Sequence, residues 1–179
     1  MKDFTVIDNF LPEDIHKNIC DMVFGGELPL FCQHNTLSYG SFDNEELNKK
    51  HNITDEGHPF FYHMYFKDLK YISDWDNVFE PVMNKVDPVA YLRIKLNIFS
   101  NRGNRLSSGW HRDMGEIDTP YTTAIYHLNT NNGYTLFEDG TKVKSVANRL
   151  VSFPGNMIHT GITQTDEDMR AFINFNYIE

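Results

Sequence analysis

The chain has 179 residues, of which 40% are hydrophobic, and a formal net charge of −9. That length suits a single domain with a substantial apolar core, and so acidic a balance disfavours binding to a phosphate backbone, which calls for a basic face. Cys20 and Cys32 form neither a disulfide framework nor a zinc-finger spacing, and no apolar run approaches the roughly 20 residues that cross a bilayer. The opening "MKDFTVIDNF" lacks the apolar stretch of a secretory signal. The expectation is a soluble cytoplasmic protein, with no membrane partner and one domain over residues 1–179.

The opening "FTVIDNFLPEDIHKNICDMVF" reads as a short strand followed by a helix. Pro12 suits a helix entry, and Glu13 and Asp14 suit its first turn. Ile15, Ile19, Met22 and Val23 recur at helical spacing, and Gly25–Gly26 ends the run. Residues 27–66 mix aromatics with turn formers and read in part as a long ordered loop. Its aromatics (Tyr39, Phe42, Phe60, Phe61, Tyr62 and Tyr65) suit either a lid or peptide groove, or a core under the loop. A second helix is expected over 74–86, with Pro81 as a possible break. From Tyr91 the period changes. "YLRIKLNIF" puts Leu92, Ile94, Leu96 and Ile98 on one face and Arg93, Lys95 and Asn97 on the other. "YTTAIYHLN" reads as a strand, Asp139–Gly140 as a hairpin turn, "RLVSF" as a strand before the turn pair Pro154–Gly155, and "RAFINFNYI" as a last alternating strand. Six to eight short strands with close turns predict a mainly β fold, a sandwich or small barrel, with flanking helices from the N-terminal half (α+β). Arg93, Lys95, Arg102 and Arg105 lie near one another and suggest a local basic groove.

The chemistry concentrates in "WHRDM". On a strand, positions i and i+2 share a side, so His111 and Asp113 can close on one ion, with Arg112 facing away. Alone the spacing is weak, because eight histidines make a chance His-x-Asp easy. His159, in "FPGNMIHTGI", adds a second imidazole. Two histidines and one carboxylate form the facial triad of non-haem Fe(II) oxygenases. A structural zinc site would call for a fourth ligand, and neither cysteine lies near these residues in sequence. Arg170 opens the last strand. If buried, it needs an anion, and guanidinium grips a carboxylate with two charge-assisted bonds.

The ordered run "WHRDMG … YTTAIYHLNTNNGYTLFEDGTKVKSVANRLVSFPGNMIHTG … MRAFINFNYI" resembles the Fe(II)/2-oxoglutarate-dependent dioxygenases, and most of all their prolyl 4-hydroxylase branch. The resemblance covers about residues 91–178, and the opening "VIDNFLPEDI" looks like the family's first strand and helix. It implies a double-stranded β-helix (jelly-roll or cupin-like) with N-terminal helices. It implies His111, Asp113 and His159 as iron ligands and Arg170 as the partner of the distal carboxylate of 2-oxoglutarate. His127 falls where relatives often carry a tyrosine that reaches the same carboxylate. Its imidazole leaves two readings open, contact or packing. Asn97 and Thr160 are further co-substrate candidates, and Thr135 is a weaker one. Phe99 lacks the hydroxyl that relatives place there. The implied cofactors are Fe(II) and 2-oxoglutarate, with ascorbate as an accessory reductant. The implied reaction is hydroxylation of a C–H bond with release of succinate and CO2. A carboxylate at Asp113, where halogenating relatives have a small residue, argues for hydroxylation. The expected substrate is a prolyl residue in a peptide or protein. A small molecule or amino acid, an alkylated nucleic acid, and a non-catalytic metal-binding β-sandwich are the alternatives.

Overall fold

In a computed structural model, residues 4–36, 41–42 (backbone only), 45–54 and 57–179 are described. The expected aromatic residue Tyr39 and the side chain of Phe42 lie outside them. The first half contributes β1 (Thr5–Ile7), α1 (Glu13–Phe24), β2 (Phe31–Gln33), β3 (Ser41–Phe42), α2 (Glu45–His51), β4 (Phe60–Lys67), β5 (Lys70–Tyr71) and α3 (Asp76–Val86). The second half is a run of strands: β6 (Ala90–Ser100), β7 (Trp110–His111), β8 (Thr122–His127), β9 (Tyr134–Phe137), β10 (Lys142–Lys144), β11 (Arg149–Pro154), β12 (His159–Ile162) and β13 (Met169–Ile178).

These strands form two antiparallel sheets. The larger has the order β1-β11-β8-β13-β6-β4-β2, with β5 on β4, and the smaller runs β10-β9-β12-β7-β3. This is the double-stranded β-helix with N-terminal helices. The period-2 pattern explains the layers. Ile94, Leu96 and Ile98 of β6, and Ala171, Ile173 and Phe175 of β13, face outward into a core completed by Ile19 and Val23 of α1 and by Val78, Phe79 and Val82 of α3. The opposite faces of the same strands look into the space between the sheets. There Phe60, Phe99, Ile125, Phe137, Val151, Phe153 and Phe172 make a second apolar cluster. Both faces of β13 are therefore buried, as a sheet covered on both sides requires.

Two open readings resolve. Residues 27–66 are loop in part, as expected, and the rest is regular structure. Phe60–Lys67 is a full strand, β4, paired with β6 through a register shift between Met64 and Phe66. "FFYHMYF" hides its period because that shift interrupts it and because apolar residues occupy both faces, including the exposed Phe61. Pro81 lies inside α3 without breaking it. The hydrogen bond it forgoes is offset by burial of Val78, Phe79 and Val82 beneath the helix. Among the described residues, no helix is long and apolar enough to cross a membrane.

Candidate active site

β7 and β12 are neighbours in the smaller sheet, and His111 sits directly opposite His159 across the ladder. β7 ends at His111, so Asp113 is carried by the turn that follows rather than by a regular strand. That corrects the i, i+2 strand argument but not its outcome. Asp113 Oδ1 lies 3.7 Å from His111 Nε2, and ligand atoms of His111, Asp113 and His159 all fall within 4.8 Å of one another. His111 Nδ1 lies 2.8 Å from the carbonyl of Gly109, and His159 Nδ1 lies 3.1 Å from that of Met157. These bonds put the proton on Nδ1 and turn both Nε2 lone pairs inward, which is how a metal-ligating histidine is oriented. The donor set fits Fe(II): two imidazoles and one carboxylate, with no fourth His, Cys, Asp or Glu in the cluster among the described residues.

The acid is prepared for that role. Burial alone would raise the Asp113 pKa, but the Arg93 guanidinium and the two histidines hold it well below the carboxylate range. Arg93 Nη2 lies 3.3 Å from Oδ1. Asn174 Nδ2 donates to both carboxylate oxygens at 3.1 Å. Asn176 Nδ2 donates to Oδ2 at 3.3 Å, and its own Oδ1 accepts from Arg93 Nε at 3.0 Å. Burial lowers His159 from 6.5 to about 4, so its imidazole is neutral at ordinary pH. Arg93, Asn174 and Asn176 were not singled out as site residues from the sequence. The available signal was the alternation of "RAFINFNYI", which puts both asparagines on the face of Arg170.

His111, Asp113 and His159 open onto a cavity of about 320 Å³ between the sheets, also lined by Asn97, Phe99, Ile125, Thr135, Arg170 and Phe172. Arg170 is 2% exposed. Its Nε donates to Ser145 Oγ at 2.9 Å, and its guanidinium lies over the Phe172 ring at 4.7 Å. Among the described residues no carboxylate pairs with it, and burial lowers its pKa to about 10. A buried cation of this kind calls for an anion from outside the chain. His127 is fully buried on the inward face of β8, in ring contact with Phe172, and neither ring nitrogen has a hydrogen-bond partner among the described residues. Burial, then Arg170 and Arg149, push its pKa well down, so it is neutral. It stands behind the cavity wall rather than in it.

Thr160 differs from expectation. Alternation along β12 sends His159 and Gly161 into the cavity and Thr160 the other way, where its hydroxyl meets Ser107 Oγ at 2.8 Å. Trp110 is core, with its indole nitrogen donating to Asn48. Arg112 reaches the cavity edge through a bond from Nε to the Asn156 carbonyl. Arg93 and Lys95 line the cavity, whereas Arg102 and Arg105 are exposed, so the four do not form one groove.

No protein-family profile matches the chain, and no curated protein matches it in sequence. Solved structures do match in three dimensions, and the fold is that of the Fe(II)- and 2-oxoglutarate-dependent oxygenases. The chain is similar to a prolyl hydroxylase from Trichoplax adhaerens solved with a hypoxia-inducible-factor oxygen-degradation-domain peptide. That match has a TM-score of 0.65 and 14% identity, and covers 99% of this chain and 84% of the other. It is similar to a viral collagen prolyl hydroxylase from Paramecium bursaria Chlorella virus 1, with a TM-score of 0.59 and 13% identity over 98% and 95% of the two chains. A Pseudomonas putida prolyl 4-hydroxylase gives 0.56 and 14% over 100% and 94%.

Proposed function

We propose that this chain is an Fe(II)- and 2-oxoglutarate-dependent dioxygenase that hydroxylates a C–H bond, with a prolyl residue of a peptide or protein as substrate. One observation carries the reading. One cavity is lined both by the His111–Asp113–His159 cluster and by a buried arginine that, among the described residues, has no carboxylate partner. His111, Asp113 and His159 would hold the metal. Arg170, steadied by Ser145, would hold the distal carboxylate of 2-oxoglutarate. His127 would support that end from behind, through its ring contact with Phe172 of the cavity wall. Thr135 and Asn97 supply polar wall on either side. Bound together, Fe(II) and 2-oxoglutarate supply the oxidant, with succinate and CO2 as by-products.

The chain's own contribution is positioning and dryness. Asn174, Asn176 and Arg93 fix Asp113 as an anion. Phe60, Phe99 and Phe172 form a continuous stack, with centroids 5.1 and 5.8 Å apart, that keeps water from the co-substrate wall. The prolyl substrate is supported by the similar structures, one of which holds a peptide. A small-molecule substrate is supported by the modest cavity volume. Anaerobic addition of Fe(II) and then 2-oxoglutarate tests the cofactor chemistry through the visible charge-transfer band of the chelate. The band should appear with wild type, vanish in His159→Ala and require far more 2-oxoglutarate in Arg170→Ala. No band in folded wild type sinks the oxygenase reading. Proline-rich peptides that gain one oxygen atom by mass would establish the substrate class, and no gain across a broad set removes it.

A further inference from the structure

The cavity carries one more cation than the metal and co-substrate use. Lys95 lies in the middle of β6, between Asn174 of β13 and Met64 of β4. Its ammonium sits 4.8 Å from the Phe60 ring and 4.9 Å from the Tyr62 ring, on the cavity wall. Among the described residues it makes no hydrogen bond and no ion pair. The other cations of the cavity are accounted for. Arg93 is paired with Asp113, Arg112 with Glu116 and Lys67 with Asp68, while Arg170 faces the co-substrate end. Asp113 is shared between the metal and Arg93, so Fe(II), Asp113, Arg93, Arg170 and a 2-oxoglutarate dianion leave an excess of positive charge, and Lys95 adds to it as the cation with no polar partner among the described residues, in a chain whose net charge is −9. Lys95 is half-buried, and attraction to two rings offsets only part of the hydration its ammonium gives up on the cavity wall.

We propose that the substrate carries a carboxylate that pairs with Lys95, which sets the position of the reacting C–H bond above the His111–Asp113–His159 cluster. The proposal rests on the reading of this cavity as the oxygenase site. A carboxylate suits it better than a phosphate, because one ammonium matches one negative charge and no guanidinium fork is free beside it. The carboxylate can belong to a chain terminus at proline, to an acidic residue next to it, or to a free amino acid.

Saturation-transfer NMR on the full chain, with Zn(II) in place of Fe(II) and 2-oxoglutarate present, tests this directly. The probes are N-acetyl-proline, acetyl-Glu-Pro-amide and free proline, each against its analogue with the carboxylate amidated. At least one acid should bind wild type about tenfold more tightly than its amide, the size expected of a charge-assisted contact. Lys95→Met should erase that ratio and Lys95→Arg should keep it. Which acid is preferred identifies the source of the carboxylate. Equal binding of acids and amides, no binding of any probe, or a preference that survives in Lys95→Met overturns the proposal. A chelate band without an acid preference removes this proposal alone. Absence of the band removes the oxygenase reading, and the acid preference is then scored on the metal-free protein.

Discussion

Asp113 is held by three side chains from two strands of the opposite sheet, and on the proposed reading its strength as a metal ligand depends on them. Asn174 gives it two of its hydrogen bonds. Asn174→Ala should leave the ligands in place yet weaken metal binding about tenfold to a hundredfold, the usual effect of removing a group that orients a ligand. Competition with a chromophoric chelator reads this, and an unchanged affinity would show that Arg93 and Asn176 suffice. Lys95 makes the opposite kind of prediction. Burial, then Arg93, lower its pKa from 10.5 to about 8. The unfolded chain therefore binds this proton more tightly than the folded one. The resulting destabilisation is complete below about pH 8 and fades as pH rises towards 10.5. Lys95→Met should gain about 1–3 kcal/mol at neutral pH and almost nothing at pH 10.5, as read by urea unfolding at both. Equal gains at both pH values would mean that packing, not charge, is responsible. At this scale the sequence was informative where residue type and order agree. That His111, Asp113 and His159 come together beside a buried Arg170 could be expected from residue type and order, but the part of Asn174 and Asn176 could not, because an Asn-x-Asn alternation looks the same whether it faces water or a buried carboxylate.

Strand placement turns those residues into a site. β12 puts His159 and Gly161 on one face, and β13 brings Arg170 against Gly161 and Gly133. A Cβ at Gly133 would lie 2.9 Å from Arg170 Cδ and 2.9 Å from the backbone oxygen of Ile162. The arginine stem can give way, but the strand cannot. Gly133→Ala should therefore push Arg170 aside and raise the Kd for 2-oxoglutarate about tenfold or more, with metal affinity unchanged. Paired titrations of metal and co-substrate separate the two, and a loss of both would mean that β9 and β12 had moved together. Elements with a clean period, β6 and β13, could be read directly from the sequence. β4 could not, since a strand with apolar residues on both faces and a shift in register loses its alternation. Thr160 was misplaced for a related reason: the order of motifs locates His159 on its strand but does not say which neighbour turns inward.

The two sheets clamp the site between them, so ligand binding and folding stability are linked across the whole molecule. His111 and His159 belong to the smaller sheet, while Arg170, Asn97 and Asn174 belong to the larger. Metal and 2-oxoglutarate would bridge the sheets, and neither sheet alone presents both ends. A ligand that binds only the folded state at about 100 times its Kd adds about 2.7 kcal/mol. For a chain of this size that is a rise in Tm of about 5–10 °C. Zn(II) alone should raise the Tm of wild type, and 2-oxoglutarate should add a second rise only when the metal is present. Arg170→Met should keep the first rise and lose the second. His159→Ala should lose both, because the co-substrate has no chelating ion to meet. If 2-oxoglutarate gave its full rise without metal, Arg170 and its neighbours would be an anion site independent of the His111–Asp113–His159 cluster. The two ends of the cavity would then act separately rather than as one oxygenase centre.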